Sequence, residues 1–208
     1  MTKAALRLEM KRIRLAQDPP AMAAASLPAQ ARLCALPSFA RARRVGLYLA
    51  RPDEVATARI LEAVYAGGRE AAVPARVGDS WEYRFCRLRP AAPLRAGSMG
   101  IGEPAEPEWV DADGLDFIVV PGVAFDARGR RLGHGRGCYD RLLAGAGRAF
   151  KAGLCFEWQM VETVPTDNRD VAMDAVVTDS GLYGDEAGAG DAGPDGFVRG
   201  KENARGKG

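Results

Sequence analysis

Glycine and arginine crowd the segment 119–143, VVPGVAFDARGRRLGHGRGCYDRLL, and it is the densest chemical signal in the chain. Gly133, Gly135 and Gly137 alternate with His134 and Arg136, and Cys138, Tyr139 and Asp140 follow directly. Glycines at every second position let successive backbone N–H groups converge on one oxyanion. Arg131, Arg136 and Arg141 surround that point with positive charge, and a short helix expected from Asp140 to Leu143 turns its N-terminus the same way. The expectation is a phosphate-binding loop rather than a flexible surface turn. It is neither a Walker A loop, since Gly-Lys-Ser/Thr is missing, nor a dinucleotide fingerprint.

Three further groups of residues could join that loop. Lys3, Arg7 and Lys11 stand at i, i+4 and i+8, with Arg14 three further on, opposite the stripe of Leu6, Met10 and Ile13. Such a basic face is either solvated or folded over the glycine loop to neutralise a polyphosphate, and spacing alone does not choose. In Arg51-Pro52-Asp53-Glu54-Val55-Ala56-Thr57, Asp53 reads as a helix N-cap. Glu54 follows a strand end, on the sheet edge expected to carry the glycine loop, yet spacing favours a favourable charge at a helix start over catalysis. Asp167, Asp170, Asp174 and Asp179 bracket the last expected strand of the sheet. Carboxylates near a phosphate loop can hold Mg²⁺ with a nucleotide. Asp167 and Asp179 read instead as exposed loop acids.

These groups need a scaffold, and the hydrophobic pattern describes one. Residues 3–17 read as an amphipathic helix ended before Pro19-Pro20, and Met22 to Leu36 as a second helix interrupted near Pro28. Val45–Leu49, Ala71–Val73, Phe117–Val120, Ala152–Phe156 and Ala175–Thr178 have the length and composition of buried strands. Residues 56–66 form a helix between the first two, closed by Gly67-Gly68. Trp81, Tyr83 and Phe85 alternate with Glu82, Arg84 and Cys86, which marks a half-exposed antiparallel strand. Strands alternating with helices predict an α/β fold with a mostly parallel sheet and a short antiparallel part. Ligands of such sheets bind beyond the carboxyl ends of the strands. From residue 181 onward nine glycines and few large apolar side chains predict a disordered tail, leaving 1–180 as one domain.

The chain has 208 residues and a net charge of +2, so no global field draws it to nucleic acid or to a membrane surface. One histidine and four cysteines without C-x-x-C spacing exclude a multi-histidine metal site and argue against a zinc cluster. No apolar run reaches bilayer length, and the first residues lack the apolar core of a signal peptide. The expectation is a soluble, cytoplasmic protein.

Taken together, these segments resemble the 5-formyltetrahydrofolate cyclo-ligase (5,10-methenyltetrahydrofolate synthetase) family, in order from Lys3 to about Asp179. PGVAFDARGRRLGHGRGCYDRLL is similar to that family's signature, and the Lys3/Arg7 start, DEVAT, GIGEP and VPTDNRDVAMDAVVTD support it. The resemblance implies a three-layer α/β sandwich with a Rossmann-like sheet. It also implies ATP- and Mg²⁺-dependent closure of 5-formyltetrahydrofolate, with or without a polyglutamate tail, to 5,10-methenyltetrahydrofolate, ADP and phosphate; a monomer is expected, although the sequence does not give the oligomeric state. On that resemblance Lys3 and Arg7 match a phosphate-binding pair. Arg131 and Gly133, His134, Gly135, Arg136, Gly137, Cys138, Tyr139 and Asp140 match the ATP loop, and Asp140 and Asp174 match carboxylates associated with Mg²⁺. Glu54 matches the glutamate that meets the reacting end of the folate, which raises it from a cap to a site residue; Tyr139 matches a tyrosine beside the substrate, and Arg131 joins these two as a catalytic candidate. Two departures stand out: Cys138 replaces the first of two tyrosines, and Arg169 replaces a histidine. They leave open a non-catalytic relative of the same fold that binds a nucleotide, folate or RNA as a regulator.

Overall fold

The computed structural model describes residues 1–78, 80–97 and 100–186. The chain begins with α1 (Lys3–Leu15), α2 (Pro19–Cys34) and α3 (Pro37–Arg41), then β1 (Arg44–Gly46), α4 (Ala58–Ala66) and β2 (Glu70–Arg76). It continues through β3 (Tyr83–Leu88), β4 (Leu94–Ala96), β5 (Gly102–Pro104), β6 (Trp109–Val110) and β7 (Phe117–Val120). A hairpin of β8 (Ala124–Phe125) and β9 (Arg131–Leu132) precedes α5 (Cys138–Ala144), β10 (Phe150–Leu154), β11 (Ala175–Val177) and β12 (Leu182–Gly184).

Eight strands form one sheet in the order β12-β11-β10-β7-β1-β2-β3-β6. The five central strands are parallel, while β12, β3 and β6 pair antiparallel at the two sides. Alternation along each strand divides the core between two faces. Phe117 and Val119 pack with Val45, Leu33, Phe39, Ile60 and Val64 beneath α2, α3 and α4. Ile118 and Val120 pack with Phe125, Leu142 and Leu143 on the α5 side. A smaller cluster seats Leu6 and Met10 of α1 on Ala124 and Leu132 of the hairpin. The expected mostly parallel α/β sandwich is therefore the fold.

Several local expectations give way. Thr2 and Asp18 cap α1 and α2 through Ala5 N and Ala21 N, both at 3.2 Å. Pro28 does not interrupt α2. One lost backbone bond is outweighed where Met22, Ala29 and Leu33 bury the helix against the sheet. Asp53 caps nothing: α4 starts at Ala58, and Thr57, its N-cap, donates its hydroxyl to Tyr48 O at 2.7 Å. The chain after Pro121 forms the β8–β9 hairpin. Its bend is organised by the buried Asp126 carboxylate, which accepts from Arg128 N, Arg130 N and Val164 N at 2.9–3.1 Å. Gly129 closes that bend at φ +76°, where a Cβ would lie 2.2 Å from Met173 O.

The domain also runs past Ser180. Leu182 is 4% exposed in the main core, and the Tyr183 hydroxyl donates to Glu157 Oε1 at 2.6 Å. Glu186 accepts from Ser38 N and Oγ at 3.0 and 2.8 Å. Two apolar residues between glycines carry too little periodicity to mark a strand, but they fit the open edge of β11. The remainder of the expected tail, 187–208, lies outside the described residues. Ending the chain after Ser180 is thus expected to lower its melting temperature. Leu182→Ala alone should cost about 2–3 kcal/mol in urea unfolding.

Candidate active site

β1 leads through α4 to β2 on one side, whereas β7 lies on its other side and leads through the hairpin and α5 to β10. The chain winds in opposite directions from these neighbours, so a crevice opens beyond their carboxyl ends. Tyr48, Arg51 and Glu54 enter it from the end of β1, and Pro121 and Gly122 from the end of β7.

Local bonds hold the β1 loop in shape. The buried Tyr48 donates to Val55 O at 2.8 Å, and Ser26 Oγ accepts from Ala56 N at 3.2 Å. Glu54 Oε2 accepts from Arg51 N at 3.0 Å, and Glu54 N donates to Arg51 O at 3.1 Å, which closes the turn 51–54. Asp53 is ion-paired with Arg14 of α1 at 2.5 Å and with Arg51 at 3.2 Å.

The glycine segment joins β9 to α5 around a buried ion pair. Arg131 is 4% exposed and donates from Nη2 to Asp140 Oδ1 at 2.6 Å. Its Nε is buried without a hydrogen-bond partner among the described residues. Gly135 and Gly137 take φ +98° and +63°, a region that disfavours a side chain. At Gly133 a Cβ would lie 2.8 Å from Arg131 Nη1, so a side chain there would have to displace that guanidinium. Arg7 crosses above, donating from Nε to Gly133 O at 2.8 Å, with its guanidinium carbon 3.4 Å from where a Gly135 Cβ would stand. Of the basic face of α1, Arg7 therefore lies over the glycine loop.

The crevice has two adjoining parts. The larger, about 340 Å³, is walled by Tyr48, Trp81, Tyr83, Ile101, Tyr139 and Leu142, with Arg131, Glu103 and Asp140 among its polar groups. The smaller, about 190 Å³, is lined by Arg7, Lys11, Arg14, Trp158 and Gln159. Arg51, Glu54, Gly122 and His134 border both. Arg136 stands 4.0 Å above the Trp81 ring, joining the glycine segment to the β2–β3 connection across the larger chamber.

Burial sets the proton affinities here. It raises the pKa of Glu54 above its ordinary value, an effect opposed by the Arg51 N–H and guanidinium. Burial, with the Glu54 charge nearby, lifts the Tyr139 phenol far above its usual range. His134 is pushed down by burial and by Arg51 and Arg14, so its ring is neutral at pH 7 and its Nε2 can accept from Arg51 Nη2, 3.3 Å away.

Arg7, Glu54, Arg131, Gly133, His134, Arg136, Gly137, Cys138, Tyr139 and Asp140 line this crevice, and Gly135 lies under Arg7. Lys3 does not line it: its ammonium is held by Asp167 at 2.9 Å and Asp170 at 2.5 Å. Asp174 is also elsewhere. It sits where β11 begins and accepts from Lys151 N at 2.7 Å, so it forms no metal pair with Asp140. Among the described residues no group of three or more His, Cys, Asp or Glu side chains is placed to hold a metal ion. The expected site left out Tyr48, Arg51, Trp81, Tyr83 and Glu103. The alternation of Trp81 and Tyr83 was a signal, but strand period alone does not show what a face covers.

Residues 1–179 match the model of the 5-formyltetrahydrofolate cyclo-ligase family. The chain belongs to that family. It is 30% identical over 204 residues to the 5-formyltetrahydrofolate cyclo-ligase of Saccharomyces cerevisiae, covering 86% of this chain and 96% of that one. A probable 5-formyltetrahydrofolate cyclo-ligase of Schizosaccharomyces pombe is 31% identical over 159 residues, 69% and 78% of the two chains. Among solved structures, the 5,10-methenyltetrahydrofolate synthetase of Aquifex aeolicus superposes with a TM-score of 0.77 at 34% identity, covering 88% of this chain and 92% of that one. As a cyclo-ligase of this family the chain is an ATP-dependent ligase of one-carbon metabolism. No helix among the described residues is long and apolar enough to cross a membrane. Of the two departures from the family pattern, Cys138 lines the larger chamber, whereas Arg169 lies outside with its side chain 87% exposed beside Asp167.

The different surroundings of Lys3 and Arg7 separate their effects. Arg7→Ala should weaken binding of inorganic tripolyphosphate, read by calorimetry, by roughly tenfold or more, since a charged hydrogen-bonding group is lost. Lys3→Ala should leave that affinity nearly unchanged and cost about 1 kcal/mol or less of stability.

Proposed function

We propose that ATP binds with its polyphosphate in the basic recess and against the glycine segment, while the pterin–formyl end of 5-formyltetrahydrofolate occupies the aromatic chamber. The observation that carries this reading is the adjacency of two chemically opposite cavities that meet at Glu54. An apolar, aromatic wall suits a flat heterocycle, and clustered guanidinium groups suit phosphates. The formyl oxygen then faces the γ-phosphate across the shared boundary.

Ring closure follows in two stages. The formyl oxygen attacks the γ-phosphorus, the bond to the bridging oxygen breaks, and ADP keeps the electron pair. The product is a phosphorylated iminium at N5. N10 adds to its carbon, phosphate leaves with the C–O electron pair, and loss of the N10 proton gives the 5,10-methenyl ring. The chain's main tasks are to align the two reactants and to stabilise charge, and it has groups for both. Arg7, Arg14 and the loop N–H groups hold phosphate oxygens. Arg131, fixed by Asp140, keeps the loop closed and presents positive charge beneath it. Tyr139, neutral at any physiological pH, contributes a hydroxyl and a ring edge to the folate side. Glu54 places a carboxylate where positive charge develops at N5.

Asp140 is the carboxylate that fits Mg²⁺, since one oxygen is bonded to Arg131 and the residue borders the chamber. Mg²⁺ needs only one or two carboxylates when phosphates and water fill the rest of its octahedron. When bound, it neutralises charge on the β- and γ-phosphates. Asp174 is not part of this arrangement. The site favours catalysis over the non-catalytic alternative, because Glu54, Arg131, Tyr139 and Asp140 converge and, of the two departures, only Cys138 lines it while Arg169 lies outside.

Glu54→Gln tests the assignment. The amide keeps the volume but removes the charge, and turnover of 5-formyltetrahydrofolate should fall roughly 10²-fold while the fold and ADP affinity persist. Because burial raises the Glu54 pKa and only the ionised form is active, wild-type activity should fall as pH drops through that raised pKa. The limb should vanish in Glu54→Gln. Turnover like that of the wild type in this variant would sink the role.

A further inference from the structure

Four residues border both cavities: Arg51, Glu54, Gly122 and His134. A phosphoryl group handed from the recess to the chamber passes between them. Gly122 brings no side chain, Glu54 brings an acid, and His134 is held toward its neutral form. Among the described residues, Arg51 therefore brings the boundary's only full positive charge. We propose that Arg51 is a catalytic residue of the ring closure, its guanidinium contacting the phosphoryl group in transit from ATP to the formyl oxygen. This rests on the two-cavity reading of the site.

The bonding of Arg51 fits a cation kept in place for a ligand. Its side chain is only 18% exposed. Nη2 lies 3.4 Å from Glu54 Oε1, 3.4 Å from Asp53 Oδ2 and 3.3 Å from His134 Nε2. Nε is 3.2 Å from Asp53 Oδ1 but not aligned to bond it, and is buried without a hydrogen-bond partner among the described residues. Arg14–Asp53 and Arg131–Asp140, by contrast, are pairs of 2.5 and 2.6 Å. Arg51 is thus shared among three partner residues at 3.2–3.4 Å, each contact longer than the pairs its neighbours make. A charged donor that is buried and under-bonded gains most from an anion placed beside it.

The step it serves moves no proton. One bond forms between the formyl oxygen and the γ-phosphorus, one breaks between that phosphorus and the bridging oxygen, and the electron pair stays on ADP. Charge spreads over the three equatorial oxygens of the moving group, at the point the Arg51 guanidinium borders. Arg51 also faces Glu54 and favours its ionised form. The other charged or titratable groups around Glu54 include Asp53 in the same loop, Arg14 from α1, Tyr48 from the end of β1, His134 from the glycine segment, and Tyr139 from α5.

The test uses the full chain as wild type, Arg51→Met and Arg51→Lys, with 5-formyltetrahydrofolate and MgATP and the methenyl absorbance as signal. Arg51→Met should lower kcat on the order of 10²- to 10³-fold, with both KM values moving less than about fivefold, because the contact is made chiefly in the transition state. Arg51→Lys should fall between. ADP with aluminium fluoride and the folate should bind wild type tightly and Arg51→Met weakly, while ADP alone binds both alike. The acid limb of the residual activity should move to higher pH, since Glu54 loses the charge that lowers its pKa. If Arg51 only clamps the 51–54 turn, Arg51→Met will instead raise the folate KM and lower the melting temperature with kcat intact, and the proposal is overturned. Should Arg51→Met fail to fold, Arg51→Lys decides: unchanged kcat overturns the proposal, and a loss of about tenfold or more at an unchanged melting temperature supports it. A wild type without turnover would overturn the two-cavity reading itself; an active wild type matched by Arg51→Met would overturn only the role of Arg51.

Discussion

Because the chain winds away from β1 and β7 in opposite directions, no connection covers the carboxyl ends of those two strands, and every functional group depends on that gap. The strands themselves are wholly apolar there. Val45, Phe117, Ile118, Val119 and Val120 are all at 0% exposure, so the rim of the crevice is anchored in the best-packed part of the domain. Loops leaving such strands can carry polar groups with little freedom to drift. Tyr48 shows how: its ring is buried in the core, its hydroxyl holds Val55 O, and its own carbonyl takes the Thr57 hydroxyl. Glu54 is therefore placed by the packing of the strand from which its loop leaves.

Charge is the second constraint. Arg7, Lys11, Arg14, Arg51, Arg131 and Arg136 converge on one crevice, against Asp53, Glu54, Glu103 and Asp140. Gathering so many cations at partly buried positions is unfavourable unless anions answer them. Some are answered within the protein, Arg131 by Asp140 and Arg14 by Asp53, and these pairs brace the loops. Others are answered only loosely, and a polyphosphate would complete the balance. The folded domain thus holds part of the interaction energy for its ligand in reserve, as a surplus of under-bonded donors.

How much of this could be read from the chain alone follows from range. The strands and helices whose pattern is local and long were legible: β7 from an unbroken apolar run, α1 and α4 from helical spacing, β3 from strict alternation. β12 was not, because two apolar residues in a glycine-rich stretch make sense only against an edge already present. The glycine segment was legible as an anion site because its chemistry is written in consecutive residues. Lys3 and Asp174 show the opposite case. Helical spacing places Lys3 beside Arg7, but the acids at 167 and 170 lie more than 160 residues away in sequence and claim it. Asp174 has the right residue type near the right strand, and its backbone partner Lys151 draws it to the other end.

Arg51 carries the same lesson into the chemistry. In sequence it is one of many arginines, three residues before the glutamate that attracts notice. Its importance arises only where α1, the β1 loop and the glycine segment meet, since Asp53, Glu54 and His134 share its guanidinium and each stands 3.2 Å or more from it. A side chain contributes to phosphoryl transfer by where its charge is left incomplete, and incompleteness is a property of the assembled site. Local motifs announce what kind of ligand a protein can hold; the geometry of competing partners decides which residue is free to act on it.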